Sequence, residues 1–194
     1  MKKNWKPVVT QGLLAGSLAS IFSTAVLALA GRRESGSAAA PINAVSRWAW
    51  GDEAFEQHGA DLPHTAVGYL THHVAATFWA TSYAALASQT PALRSVSGLL
   101  LGAVATSGAA YVADFKLTPY RFAPGNEHRL SGGALVAVYA ALALGLAAGA
   151  FSLRDQYEDE HEANWDSDKS KNLKAPAYEP AEPRIVRRVR AGQI

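Results

Sequence analysis

The chain has no cysteine among its 194 residues. This absence excludes disulfides, thiolate metal ligands and thiol nucleophiles. A long stripe of lysine and arginine with interleaved aromatic residues is also missing, so nucleic acid is not an expected partner. Charged residues make up only 18 % of the chain, and they are bunched between apolar segments. The apolar segments therefore indicate whether the protein is soluble or lies in a membrane.

Four long segments contain no Asp, Glu, Lys or Arg. They cover residues 7–31, 62–93, 95–113 and 130–153. A helix needs about 20 apolar residues to cross a bilayer, and each segment meets that length. A soluble helical bundle would need a charged stripe on every helix, and none of the segments carries one. The sequence therefore predicts an all-α membrane protein, a four-transmembrane-helix bundle with helices at about 7–30, 65–88, 93–115 and 131–153.

Two domains are expected, a transmembrane domain over residues 1–154 and a polar C-terminal tail over 155–194. The tail has few apolar residues and should lack a packed core. Its basic end could bind anionic lipid or an acidic partner, and a free, solvated tail is the alternative. In the first loop, residues 41–51 predict a short interfacial helix, because tryptophans favour the headgroup level of a membrane.

The first apolar segment has two interpretations. Lysines before it and the Ala-Leu-Ala pattern at 28–30 are typical of a cleaved signal peptide. Small residues at four-residue spacing, Gly12, Gly16, Ser20 and Thr24, instead indicate a packing face that a discarded peptide would not need. We favour a retained helix.

Small residues at this spacing also occur on the third and fourth predicted helices. Such faces allow close approach of helix backbones in a membrane. The glycines expected to pack helices, and to dock partners, are Gly12, Gly16, Gly98, Gly102, Gly145 and Gly149.

The ionisable residues within or beside the apolar segments form a candidate polar site. They are His72, His73, Asp114, His64 and His128. With four helices, all five lie at the same end of the bundle. An ionisable residue inside a membrane is a candidate functional residue by default, although neutral histidines also join helices by hydrogen bonds. We expect one of the paired histidines to face the bundle and to bind a group from helix 3 or the outer loops, with Asp114 as the main candidate.

The sequence contains no motif for a known cofactor or reaction. The H-E-x-x-H zinc pattern, the phosphate-binding loop and the G-x-S-x-G elbow are all absent. Bis-histidine haem is disfavoured because only one predicted helix carries histidines. We therefore predict no catalytic residue, no metal and no cofactor.

Three stretches, "GLLAG" in helix 1, "HTAVGYLTHHVAATFWATSYA" in helix 2 and "DFKLTP" after helix 3, together resemble small four-helix bacterial inner-membrane families, of which the YagU-like proteins are one example. The resemblance covers about residues 7–153 and rests on Gly-x-x-x-His and aromatic positions. It implies a location in the bacterial inner membrane and a helix count of four. These families have no assigned chemistry, so it implies no activity.

Two functional classes follow, and an enzyme is less favoured than either. One is an inner-membrane bundle of structural, accessory or stress-related type, embedded in the lipid bilayer as a homo-oligomer or within a larger complex. The other is a small transporter or proton-linked carrier that uses an outward-facing mouth of histidines and carboxylates. The distribution of basic residues predicts that both termini are cytoplasmic.

Overall fold

The computed structural model describes residues 5–152 and Lys169, and the predictions for the rest of the tail lie outside the described residues. The described chain is helical and contains no strand. Its α-helices are α1 (Lys6–Glu34), α2 (Ala40–Val45), α3 (Arg47–Trp50), α4 (Val67–Gln89), α5 (Val96–Val112) and α6 (Gly132–Ser152). The prediction of an all-helical fold is confirmed for this part of the chain.

Three helical segments are long and apolar enough to cross a membrane. They are Lys6–Glu34, Val96–Leu117, which includes the π-helical turn after α5, and Gly132–Ser152. The 23-residue helix α4 is not among them, since polar residues such as His72 and His73 lower its hydropathy. Three candidate spans are thus shown, where the sequence predicted four.

Helix α1 is central, because it packs along both α4 and α6. Gly12 lies against Thr81, and Gly16, one turn later, lies against Thr77, so α1 and α4 are antiparallel. On another face of α1, Ala19 lies against Gly145, and α6 also runs antiparallel. Helix α5 is peripheral and packs on α6 and, less extensively, on α4.

Local signals explain where the helices begin. Asp61 accepts hydrogen bonds from the backbone N–H groups of His64 and Thr65 and so starts the π-helical turn Leu62–Ala66 before α4. Ser95 caps α5 through the N–H of Gly98. Ser131 caps the last helix, since the N–H of Ala134 donates a hydrogen bond to its hydroxyl.

The segments 35–66 and 113–131 meet at one end of the long helices, and we call them together the cap. The indole N–H of Trp48 donates to the carbonyl of Phe122 over 2.7 Å. At the base of the cap, Glu34 accepts hydrogen bonds from both the N–H and the hydroxyl of Ser131. The two segments, which carry the predicted site residues His64 and His128, therefore lie at the same end of the long helices.

The structure differs from the prediction of one short interfacial helix in the first loop. Ser46 divides it into α2 and α3, and Gly51, with φ of 69°, ends α3. Every residue of α2 is buried, and the carbonyl of Ile42 lies against Gly68 of α4. Helix α2 is therefore part of the protein core, whereas Trp48 and Trp50 of α3 are about half exposed.

Candidate functional site

The paired histidines both lie against α1. Nδ1 of His73 is 2.8 Å from the hydroxyl of Ser20, and Nε2 of His72 is 2.8 Å from the hydroxyl of Ser23. Both serines are fully buried, whereas each histidine keeps a partly exposed side chain. Two serine–histidine pairs therefore join the middle of α1 to the first half of α4.

The backbone contacts of the serines bear on which histidine nitrogens carry protons. The hydroxyl of Ser23 is 2.7 Å from the carbonyl of Ala19, and that of Ser20 is 3.0 Å from the carbonyl of Ser17. A hydroxyl has only one proton, so a serine that donates it to its own helix accepts from its histidine. In neutral rings, that arrangement places the N–H on Nε2 of His72 and on Nδ1 of His73, whereas hydroxyls turned toward the rings would require the opposite tautomers. In either arrangement, the other nitrogen of each ring has no hydrogen-bond partner among the described residues.

The predicted partner of these histidines was wrong. We expected it on helix 3 or in the outer loops, with Asp114 foremost, but both partners are serines of α1. The expectation that only one histidine would face the bundle also fails. Adjacent helical residues point about 100° apart, so the two histidines cannot share one partner. Ser20 and Ser23 are nearly one turn apart on α1, and each contacts a different ring.

Asp114 belongs to a different cluster. Its carboxylate accepts a 2.5 Å hydrogen bond from the phenol of Tyr139 on α6. The ring of Tyr139 packs edge-on against those of Tyr111 and Phe115, at centroid distances of 5.2 and 6.0 Å. The hydroxyl of Ser107 donates to the carbonyl of Tyr139 over 2.6 Å. This cluster joins the end of α5 to α6.

His64 forms a third site in the cap. Its Nδ1 is 2.8 Å from Oδ2 of Asp61, and its ring packs near that of Trp50. The hydrogen bond from the backbone N–H of His64 is the main cause of a lowered pKa at Asp61. Nε2 of His64 is buried and has no partner among the residues described.

His128 lies on the exposed side of the cap. Its ring centroid is 4.7 Å from that of Phe55, and Nε2 is 3.9 Å from a carboxylate oxygen of Glu127. The five predicted site residues are therefore divided among four places. His72 and His73 share one of them, and the single histidine–carboxylate mouth is not assembled.

All six predicted packing glycines lie against another segment of the same chain. A Cβ on Gly12 or Gly16 would overlap α4, and one on Gly145 or Gly149 would overlap α1. Gly98 lies against the carbonyl of Ala92, in the turn before α5. Gly102 lies under the ring of Tyr83, which belongs to α4. Gly133, which continues the glycine spacing on α6, is open and packs on no other helix.

Three important residues escaped the sequence analysis. Ser23 is a polar residue on a charge-free helix, three positions after the predicted packing residue Ser20, and this spacing is a usable signal. Tyr139 is the one tyrosine of the last apolar segment, which also marks it. Arg47 is fully buried, with its guanidinium between the rings of Phe55 and Tyr120. Nothing in the sequence distinguishes it from a solvated loop arginine.

Within the described residues, no group of three or more His, Asp or Glu side chains is placed to hold a metal ion. Comparison of the chain with protein-family models, with curated proteins and with solved structures found no match. The resemblance to the YagU-like families therefore stays a prediction.

Proposed function

We propose that this chain is an integral protein of the bacterial inner membrane with four spans, cytoplasmic termini and a structural or accessory role. The main support is the contact between α1 and α4. Small residues and two serine–histidine pairs connect these helices over several turns. A helix that packs along a membrane-spanning partner for that distance lies at the same depth as its partner.

This contact also accounts for the polar residues of α4. A polar side chain in hydrocarbon needs a partner inside the protein. Ser20 and Ser23 supply such partners to the two histidines. Leu70, Val74 and Phe78, on another side of α4, are each about 60 % exposed, as expected of side chains that face lipid. Helix α4 thus has a polar inner side and an apolar outer side.

The structural role is favoured by how the interior is filled. The six packing glycines and the two serine–histidine pairs are occupied by contacts within the chain. Asp114 is bonded to Tyr139 and not to a histidine. Because all six glycines lie against the same chain, docking of a partner through them, which stays a prediction, would require these contacts to open. Without such opening, partners would have to use the cap, the lipid-facing surface or the tail.

A proton-linked carrier is the second candidate, because two imidazoles lie within the helical segments, each with one ring nitrogen that has no partner among the described residues. Imidazole nitrogens are common carriers of protons in transport and catalysis, which is the chemistry that a proton-linked carrier requires. This candidate requires that the α1–α4 contact open during transport.

One assay separates the two candidates. The full chain is reconstituted into liposomes that contain a pH-sensitive dye, and decay of an imposed pH gradient is followed. A structural role predicts the same decay as in protein-free liposomes. Faster decay that is lost in His73→Leu, but kept in the surface variant His128→Leu, would overturn the structural role in favour of the carrier. Resistance to alkaline carbonate extraction tests the membrane location separately, and release of the chain would contradict it.

A further inference from the structure

Arg47, the first residue of α3, is a cation enclosed by the cap. Its side chain has 0 % relative exposure. Its guanidinium carbon lies 4.7 Å from the ring centroid of Phe55 and 4.2 Å from that of Tyr120. Burial of a charged group is costly unless its hydrogen-bonding groups are paired. The two rings compensate part of that cost through cation–π attraction.

The guanidinium lacks most of the acceptors that it requires. Nη2 donates to Oδ1 of Asp52 over 2.8 Å, but the Asp52 side chain is 68 % exposed. Among the described residues, Nε and Nη1 have no hydrogen-bond partner, although both are buried. Within the part of the chain that the structure describes, a single exposed carboxylate is thus the only anion paired with this buried arginine, and two of its nitrogens lack an acceptor.

The surroundings of Arg47 indicate which anion could supply the missing acceptors. Several large apolar and aromatic side chains of the cap are about half exposed or more, namely Trp48, Leu62, Leu117, Tyr120 and Phe122. Aromatic residues with a polar group are favoured where lipid headgroups meet hydrocarbon. The oxyanion that is abundant at that level is phosphate, whose oxygens match the donors of a guanidinium.

We propose that Arg47 binds the phosphate of a phospholipid headgroup, which replaces Asp52 as the main acceptor. Tyr120 is 61 % exposed and covers one face of the guanidinium, so its ring turns away to admit the phosphate. Asp52 follows Gly51, at the start of a short 3-10 turn, and its exposed side chain can withdraw into water. This inference rests on the membrane location proposed above.

The test uses the full chain, purified in a phosphate-free non-ionic detergent and titrated with dihexanoyl phosphatidylglycerol below its micelle concentration. Tryptophan fluorescence reports binding, because the ring of Trp48 packs against that of Phe122 within the cap. We expect saturable binding that weakens about tenfold in Arg47→Lys, which keeps the charge but loses the forked donors. The matched control Lys116→Gln removes an exposed cation from the same end and should change the affinity less than twofold.

Asp52→Asn makes the test independent of whether Arg47 variants fold. If phosphate competes with Asp52, removing the carboxylate should strengthen lipid binding severalfold. An arginine that only holds the cap together predicts no gain, and that result would overturn the proposal. Equal loss in Lys116→Gln and Arg47→Lys would also overturn it, because attraction would then be nonspecific.

A second titration distinguishes the source of the phosphate. Inorganic phosphate should compete at least about tenfold less well than the lipid, since it cannot use the exposed apolar side chains of the cap. Equal competition would contradict the assignment to a lipid headgroup. If lipid binding is absent while the chain resists carbonate extraction, only the inference about Arg47 fails, and the proposed membrane location stands.

Discussion

At the scale of single residues, two serine hydroxyls provide the hydrogen-bond partners of the paired histidines. Ser20 and Ser23 can each donate to a carbonyl of their own helix and accept from an imidazole of α4. A serine can do both because its oxygen has one proton and two lone pairs. The result is a polar contact that needs no charge, as a membrane interior favours.

The first prediction concerns the pair Ser20 and His73. In a double-mutant cycle of Ser20→Ala and His73→Leu, the coupling free energy should be about 0.6 kcal/mol and at most about 1.7 kcal/mol, the range of hydrogen bonds between membrane helices. Unfolding of the purified protein in mixed micelles measures it. Ser17→Ala is the control, because among the described residues the Ser17 hydroxyl donates to the carbonyl of Leu13 on its own helix and contacts no histidine. Coupling as large with Ser17 as with Ser20 would refute the pair.

The second prediction concerns Asp61 in the cap. Its pKa is lowered in the folded state by the N–H of His64, so it stabilises the fold above its unfolded pKa. This contribution is lost as pH falls below about 4, through the lower folded value. Asp61→Asn should therefore be less stable than wild type at pH 7, and the difference should shrink in acid. The exposed Glu53→Gln variant is the control. A stability difference for Asp61→Asn that does not change between pH 7 and pH 3 would contradict the argument.

At the scale of helices, close packing depends on where a glycine faces. Gly145 lies on the backbone of Ala19, whereas Gly133, just over three turns earlier on the same helix, is exposed. The same contrast occurs on α5, where Gly102 lies under Tyr83 and Gly108 is open. Glycine spacing alone therefore does not identify a packing face.

The third prediction uses this contrast. Gly145→Ala should destabilise the protein by about 1–3 kcal/mol, because its Cβ overlaps α1. Gly133→Ala should leave stability unchanged or raise it by up to about 1 kcal/mol, since alanine favours a helix over glycine. Thermal unfolding in detergent measures both. An equal effect of the two substitutions would show that the α1–α6 contact is not as close as described.

The helices were predictable because uncharged runs set their positions and capping residues set their ends. The packing partners of those helices were not, since the register between two helices depends on how whole faces fit together. Ser23 and His72 are 49 positions apart, and no local pattern pairs them. The burial of Arg47 could not be predicted for a different reason. Its burial requires Phe55 and Tyr120 from two separate loops to close over it.

At the scale of the whole molecule, the proposed four-span topology depends on α4. With α1, α5 and α6 as the only spans, the two parts of the cap would lie on opposite sides of the membrane. Their contacts, such as the hydrogen bond from Trp48 to Phe122, require them on the same side. A fourth crossing by α4 reconciles these contacts with the hydropathy of the other helices.

The most direct test of the four-span account is labelling of single cysteines in a chain that naturally has none. Cysteines replace Gly59, Gln89, Lys116 and Lys169, and a membrane-impermeant maleimide is added to spheroplasts. The account predicts labelling of positions 59 and 116, with 89 and 169 reacting only after the membrane is opened. The opposite pattern would reverse the orientation and keep four spans. Labelling of position 89 together with 59, but not 116, would show that α4 does not cross, and would contradict the central claim.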